Sequence, residues 1–330
     1  MGSTGGYTST GGAASYGFFV MGDPQVTGST NSLQIAIGQM KLIDNKPIAA
    51  FTLGDLTDDA TSAEWTYHNQ FVSSFFDVSG YSLGTTPRYF AAVGNHDVLT
   101  SNWLTLWNTS LPGQQGLGHN GSDGIYYSIE YQGALFAVLD TEHVSGVGTA
   151  YSDAQSQKLA ASLKASSAPF KFLLFHEPVY PCNSIHQPFA AGLPWVDLAE
   201  RNNVAIVFAG HTHVYSRTCP MKNGTCTSDG SGIVQVESGP VGTPPRAVNV
   251  TSRTFTGTDS AGAARTDTYN CTTNLRASGS ANDFCYVKIA GCTASFSCYV
   301  VGAGNTTPFD SWTINRCPAI GASANLNARR

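Results

Sequence analysis

Five short polar clusters in this chain each follow directly on an apolar run. They are Gly22-Asp23-Pro24-Gln25, Gly54-Asp55-Leu56-Thr57-Asp58, Gly94-Asn95-His96-Asp97, His176-Glu177-Pro178 and Gly210-His211-Thr212-His213. Singly, each fits an ordinary turn or a satisfied core histidine, because an Asp after Gly readily hydrogen-bonds its own backbone. Five in succession are harder to explain that way, since paired polar groups at buried strand ends are costly without partners. The residue types suit a pair of metals. Carboxylates can bridge two cations, neutral imidazoles suit Zn, Mn and Fe, and an amide oxygen completes a mixed shell. Two divalent ions about 3.5–4 Å apart activate a water and clamp the attacking and leaving oxygens of a phosphoryl displacement.

Residues so distant in sequence need a scaffold that brings them together. Short apolar runs at 17–21, 48–53, 89–93, 170–175 and 204–209 predict buried strands, and helical patterns occupy 32–42, 62–75, 153–164 and 195–202. A hairpin is expected from 125–131 and 134–139, turning at Gln132-Gly133. Further strands are expected at 233–237, 284–289, 297–301 and 311–314, with a mobile loop at 251–266. Alternating strands and helices indicate a layered α/β fold. In such folds the loops beyond the carboxyl ends of the strands converge on one crevice.

Composition narrows the function. The 330 residues are 42% hydrophobic and only 12% charged, with a net charge of −5. No Lys/Arg run appears, so a nucleic-acid-binding surface is not expected. A small anionic substrate needs a local cationic centre in such a protein. Eight cysteines, without a C-x-x-C pair, predict disulfides and an oxidising compartment. Cys219–Cys226 and Cys292–Cys298 are spaced to staple single hairpins. Six glycosylation sequons, at Asn108, Asn120, Asn223, Asn249, Asn270 and Asn305, agree with a secreted, extracellular protein. No apolar run approaches the roughly 18 residues of a membrane span. The Gly/Ser/Thr-rich residues 1–15 show no charged and apolar leader pattern and are expected to be flexible. A single domain is expected over 16–330, with a disulfide-rich extension at 243–298. The oligomeric state is open.

The order GD, GD, GNHD, H, GHTH resembles the calcineurin-like metallophosphoesterases from Phe18 to about Val214. The resemblance implies a four-layer α/β/β/α sandwich of two mixed sheets with a dinuclear site at its edge. It implies that Asp23 and His213 bind the first metal, that Asp55 bridges both, and that Asn95, His176 and His211 bind the second. His96 becomes the non-ligand acid that protonates the leaving oxygen or holds the phosphoryl group, oriented by Asp97. The segments Leu139-Asp140-Thr141-Glu142-His143, His176-Glu177-Pro178-Val179-Tyr180 and His211-Thr212-His213-Val214-Tyr215-Ser216-Arg217 are similar to segments of purple acid phosphatases. That similarity places His143, His186 and Tyr215 toward substrate. Asp58 stands where purple phosphatases carry a tyrosine ligand, so a colourless enzyme is expected. Gln25 stands where most of the family has a ligating histidine, and its amide oxygen is placed on a metal or its water. The implied activity is hydrolysis of a small-molecule phosphomonoester by a metal-bridging hydroxide attacking in line. A phosphodiesterase acting on a nucleotide or phospholipid head group, and a non-catalytic scaffold, are the alternatives.

Overall fold

Alternation along the central strands explains the layering. In the strands Ala134–Val138, Phe170–Leu174 and Ile206–Ala209, Phe136, Phe172 and Phe208 join one core. Their neighbours Leu135, Ala137, Leu173 and Val207 join another. A period of two has this result when a sheet is buried on both faces.

The computed structural model describes residues 15–27, 32–84, 86–119, 125–143, 154–228 and 231–316. Among these, a six-stranded mixed sheet runs Asp310–Asn315, Thr293–Val300, Asp283–Ala290, Ser15–Met21, Ala49–Thr52, Arg88–Ala91. An eight-stranded mixed sheet runs Leu275–Gly279, Tyr215–Thr218, Val234–Glu237, Ile206–Ala209, Phe170–Leu174, Ala134–Val138, Tyr126–Tyr131, Gly118–His119. The sheets pack through aromatic rings. Phe18 of the first meets Phe136 and Phe172 of the second edge-on at 4.9 and 5.4 Å, the geometry that aromatic quadrupoles favour.

Helices Ser32–Ile43, Ser62–Val72 and Trp103–Ser110 belong to the core that includes the first sheet. Helices Ala154–Ala165 and Leu193–Arg201 pack on the second. The expected α/β/β/α sandwich is therefore observed. Local chemistry sets the element boundaries. The helix Ser62–Val72 starts in a capping box, in which Glu64 N donates to Thr61 Oγ1 at 3.3 Å and Thr61 N to Glu64 Oε2 at 2.9 Å, worth about 1 kcal/mol. The hairpin at Gln132-Gly133 turns through two positive φ angles, 42° and 87°, as a two-residue loop between twisted strands requires. No helix among the described residues is long and apolar enough to cross a membrane.

Three sequence expectations are corrected. Residues 251–266 do not form a loop; they lie in a two-stranded hairpin, Ser252–Thr258 with Ala264–Asn270. Its polar, Thr-rich strands lack an apolar run but pair fully through their backbones. Arg265 ties it to the helix Leu193–Arg201 through Glu200 at 3.0 Å, and it also pairs with Asp267 of its own strand at 2.8 Å. Cys298 bonds Cys285 across adjacent strands rather than Cys292, because Cys285 and Cys298 are paired in register. Cys219–Cys226 forms as expected, and Cys182–Cys271 joins segments 89 residues apart. Cys292 is disulfide-bonded too. Finally, Ser15 already belongs to the first strand; the rest of the expected flexible segment, Cys317 and the Asn120 sequon lie outside the described residues.

Candidate metal centre

Register brings the clusters together. Met21, Thr52 and Ala91 are level neighbours on three parallel strands, so Asp23, Asp55 and Asn95 leave one edge of the first sheet. Leu174 and Phe208 are level in the second sheet, and His176 and His211 each follow two or three residues later. Both carboxyl edges face one crevice. To turn into it, Asp23, Gln25, Asp55, His211 and His213 adopt positive φ of 49°, 35°, 53°, 67° and 57°. Each such non-glycine residue costs on the order of 1 kcal/mol and persists only where the surroundings impose it. Gly94 permits a close approach of the loops, since a Cβ there would lie 2.3 Å from Asp55 Oδ1.

Two triads result. Asp55, His176 and His211 offer ligand atoms within 4.8 Å of one another, and so do Asp23, Asp55 and His213, so Asp55 is common to both. His176 Nδ1 lies 2.8 Å from the Leu53 carbonyl, an acceptor that demands a proton on Nδ1 and leaves a lone pair on the neutral ring's Nε2. That Nε2 faces Asn95 Oδ1 at 3.0 Å, His211 Nδ1 at 3.0 Å and Asp55 Oδ2 at 3.3 Å. Lone pairs converging in a buried site repel unless a cation sits among them. The donor set thus fits borderline divalent metals.

The electrostatics agree. Burial, with Asp55 adding to it, pushes Asp23 up to about 8 against the opposing charge of His176. Burial works against charge on both Asp55 and His176, yet their mutual attraction prevails, holding Asp55 below and His176 well above their ordinary values. Without metal, protons occupy the place of the cations. Burial lowers His213 to about 3 and also lowers His211, keeping both neutral as metal ligands must be. Asp23 accepts from His211 N at 2.9 and 3.0 Å, and its Oδ1 lies 3.7 Å from His213 Nε2.

The other expected residues divide. Gln25 is buried at the centre and turns its amide nitrogen to Asp55 Oδ2 at 3.3 Å, bracing the shared carboxylate. His96 N donates to Asp55 Oδ1 at 2.8 Å, and its Nδ1 meets the Asp58 carbonyl at 2.6 Å and Asp58 Oδ1 at 3.6 Å. Asp97 does not orient His96. Its carboxylate accepts from Leu56 N at 2.8 Å, Thr57 N at 3.2 Å and Gly94 N at 3.0 Å, binding the Asp55 loop to the Gly94 loop. The residue that orients His96 is Asp58, whose role adjacency in sequence did not suggest.

His186 lies against the centre, its ring centroid 4.0 Å from that of His211. His143 turns instead to Asp140 Oδ2 at 2.8 Å and stacks on Trp103 at 4.9 Å. Tyr215 is not in the site. It is fully buried between the sheets, donates to Asp310 Oδ2 at 2.6 Å and packs on Phe309. Sequence reasoning also passed over Arg246, whose backbone N donates to His213 O at 2.7 Å and whose guanidinium contacts His186 Nε2. A single arginine in a loop carries no motif.

The family described as calcineurin-like phosphoesterase matches residues 17–215, more than half of the chain. Purple acid phosphatase 18 of Arabidopsis thaliana is 27% identical over 67% of this chain and 48% of its own length. A protein named probable inactive purple acid phosphatase 9, from the same plant, is 24% identical over 56% of this chain and 32% of its own. The chain thus spans about a third to a half of these relatives. Among solved structures, the purple acid phosphatase PPD1 from yellow lupin superposes with a TM-score of 0.64 at 16% identity, covering 92% of this chain and 54% of that one. GAP50, the anchor in the inner membrane complex of Plasmodium, gives 0.60 at 12% identity, covering 91% and 89%.

Proposed function

Because the chain belongs to the calcineurin-like phosphoesterase family, we propose that it is a secreted dinuclear-metal hydrolase of small phosphomonoesters. One observation carries this reading: Asp55 is shared between two ligand triads, the arrangement a bridging carboxylate requires. Asp23 and His213 would hold one metal, Asn95, His176 and His211 the other, with Gln25 bracing Asp55. Bound there, a divalent pair supplies Lewis acidity, an activated water and charge compensation. The Asp58 carbonyl holds one proton of His96 on Nδ1, so a second proton, on Nε2 of the imidazolium, would be the one passed to the departing oxygen, a contribution of about 10²–10⁴ in rate. Asp97 fixes the spacing between His96 and Asp55 through backbone amides. The disulfides support an oxidising compartment.

Some relatives carry names that include "inactive", so turnover is the point to test. Purified protein loaded with Mn, Zn or Fe is expected to bind two ions and hydrolyse a chromogenic phosphomonoester. Asp55→Asn is expected to lose metal and turnover together, and His96→Ala to lose turnover while keeping metal. A wild-type protein that binds no transition metal would favour the scaffold reading.

A further inference from the structure

The segment that follows the strand Val234–Glu237 carries a cation to the edge of the metal centre. Its start is pinned from several sides. Val241 N donates to Gly22 O at 2.9 Å, Gly242 N to Asp23 O at 3.1 Å, and Thr243 Oγ1 meets His213 Nδ1 at 3.1 Å. Asn282 Nδ2 holds the carbonyls of Val241 and Thr243 at 3.1 and 2.8 Å, and Asp283 accepts from Ser238 Oγ at 3.0 Å. Pro244-Pro245 then stiffens the chain, and Arg246 N closes it onto His213 O.

Arg246 is half-buried and, among the described residues, pairs with no carboxylate. Arg88, Arg201, Arg217 and Arg265 each have one, whereas Arg253, Arg276 and Arg316 turn their guanidinium groups to carbonyl or amide oxygens. Its guanidinium instead contacts His186 Nε2, which needs a neutral, accepting imidazole; the His186 ring sits on His211. Arg253 holds the segment beneath His186 by donating to the carbonyls of Asn183, at 2.9 Å, and His186. A half-buried arginine with no carboxylate at ion-pair distance, fixed on two sides beside a cation site, is built to receive an anion. Its planar fork suits two oxygens of a phosphate.

We propose that Arg246, steadied by His186, grips a terminal phosphoryl oxygen and makes this a site for phosphomonoesters rather than phosphodiesters. The proposal rests on the hydrolytic reading above and names the residue that selects its monoester substrate. A monoester has three non-bridging oxygens, so if a bound divalent pair took two, one, carrying charge, would remain for Arg246. A diester has only two, and what would face Arg246 is an ester oxygen bearing an alkyl or aryl group, a weak acceptor and a steric burden.

The test uses the metal-loaded protein, inorganic phosphate as the probe, and paired p-nitrophenyl mono- and bis-p-nitrophenyl diester substrates. Arg246→Met is expected to keep its metal content and to weaken phosphate binding, measured by calorimetry, by about ten- to a hundredfold, the worth of one charge-assisted contact. It is expected to lower kcat/KM for the monoester by a similar factor, chiefly through KM, and for the diester by less than about threefold. Arg246→Lys is expected to recover part of the phosphate affinity, since charge returns without the fork. Unchanged phosphate affinity, equal losses on both esters, or loss of metal from Arg246→Met would overturn the assignment. If the wild type hydrolyses neither ester but binds phosphate through Arg246, the anion site stands and the hydrolytic reading falls.

Discussion

His68 offers a quantitative check on the packing behind the metal centre. It is fully buried on the helix Ser62–Val72, and that burial lowers its imidazole from 6.5 to about 4, against a weaker upward pull from Asn69. Nε2 lies 2.9 Å from the Tyr89 hydroxyl, which accepts from Thr52 Oγ1 at 2.5 Å, and Nδ1 faces Asn69 Oδ1 at 3.3 Å. One proton arrangement satisfies all four groups: Thr52 donates to Tyr89, Tyr89 to Nε2, and Nδ1–H to Asn69. The ring is therefore neutral. Above pH 6.5 it is neutral in the unfolded chain as well, and pH has no leverage. As pH falls from 6.5 toward 4 only the unfolded chain takes up the proton, so stability is lost through that window. At about 1.4 kcal/mol per unit the full loss is about 3 kcal/mol, of which about 2 kcal/mol has gone by pH 5. Urea unfolding of metal-stripped wild type and His68→Gln at pH 7 and pH 5 isolates the effect, because the remaining groups titrate alike in both. Gln keeps an acceptor for Tyr89 without a titrating ring. The wild-type advantage at pH 7 is expected to shrink by about 2 kcal/mol at pH 5. A difference that does not move with pH would refute the argument.

Metal loading at pH 7 is expected to release protons, since Asp23 rests near 8 and His176 is protonated in the free protein; affinity then rises with pH, and an indicator dye in weak buffer reads the release. Silence of the dye during stoichiometric loading would contradict that protonation pattern. Gly94→Ala places a Cβ 2.2 Å from Asp55 N, with no flexible neighbour to yield. Its bound metal is expected to fall while the circular dichroism spectrum is kept, and full metal occupancy would show that the loop relaxes. Tyr215→Phe removes the hydroxyl from Asp310 and is expected to cost about 1–2 kcal/mol of stability with kcat/KM unchanged. A clear drop in kcat/KM would return Tyr215 to the site.

The sequence by itself determined the apolar central strands and the polar residues at their ends. An apolar run closed by Gly-Asp or Gly-Asn-His-Asp is a local pattern, and burial selects it residue by residue. Asp23, Asp55, Asn95, His176, His211 and His213 could therefore be picked out before any distance was known. Local patterning misled wherever a neighbour in sequence was taken for a neighbour in space. Asp97 follows His96 directly, but its carboxylate turns to the amides of Leu56, Thr57 and Gly94, leaving Asp58 from another loop to hold the imidazole. Tyr215 stands two residues beyond His213, yet by then the chain has entered a strand whose alternation sends the ring between the sheets. Only the tertiary structure decided which groups share a charge environment. Asp23 and His211 are 188 residues apart and touch because the register of two sheets sets their strand ends against each other. Arg246 was invisible for the same reason. What marks it is a guanidinium without a carboxylate set against His186 beside His211, a property of the space around it and not of the chain on either side.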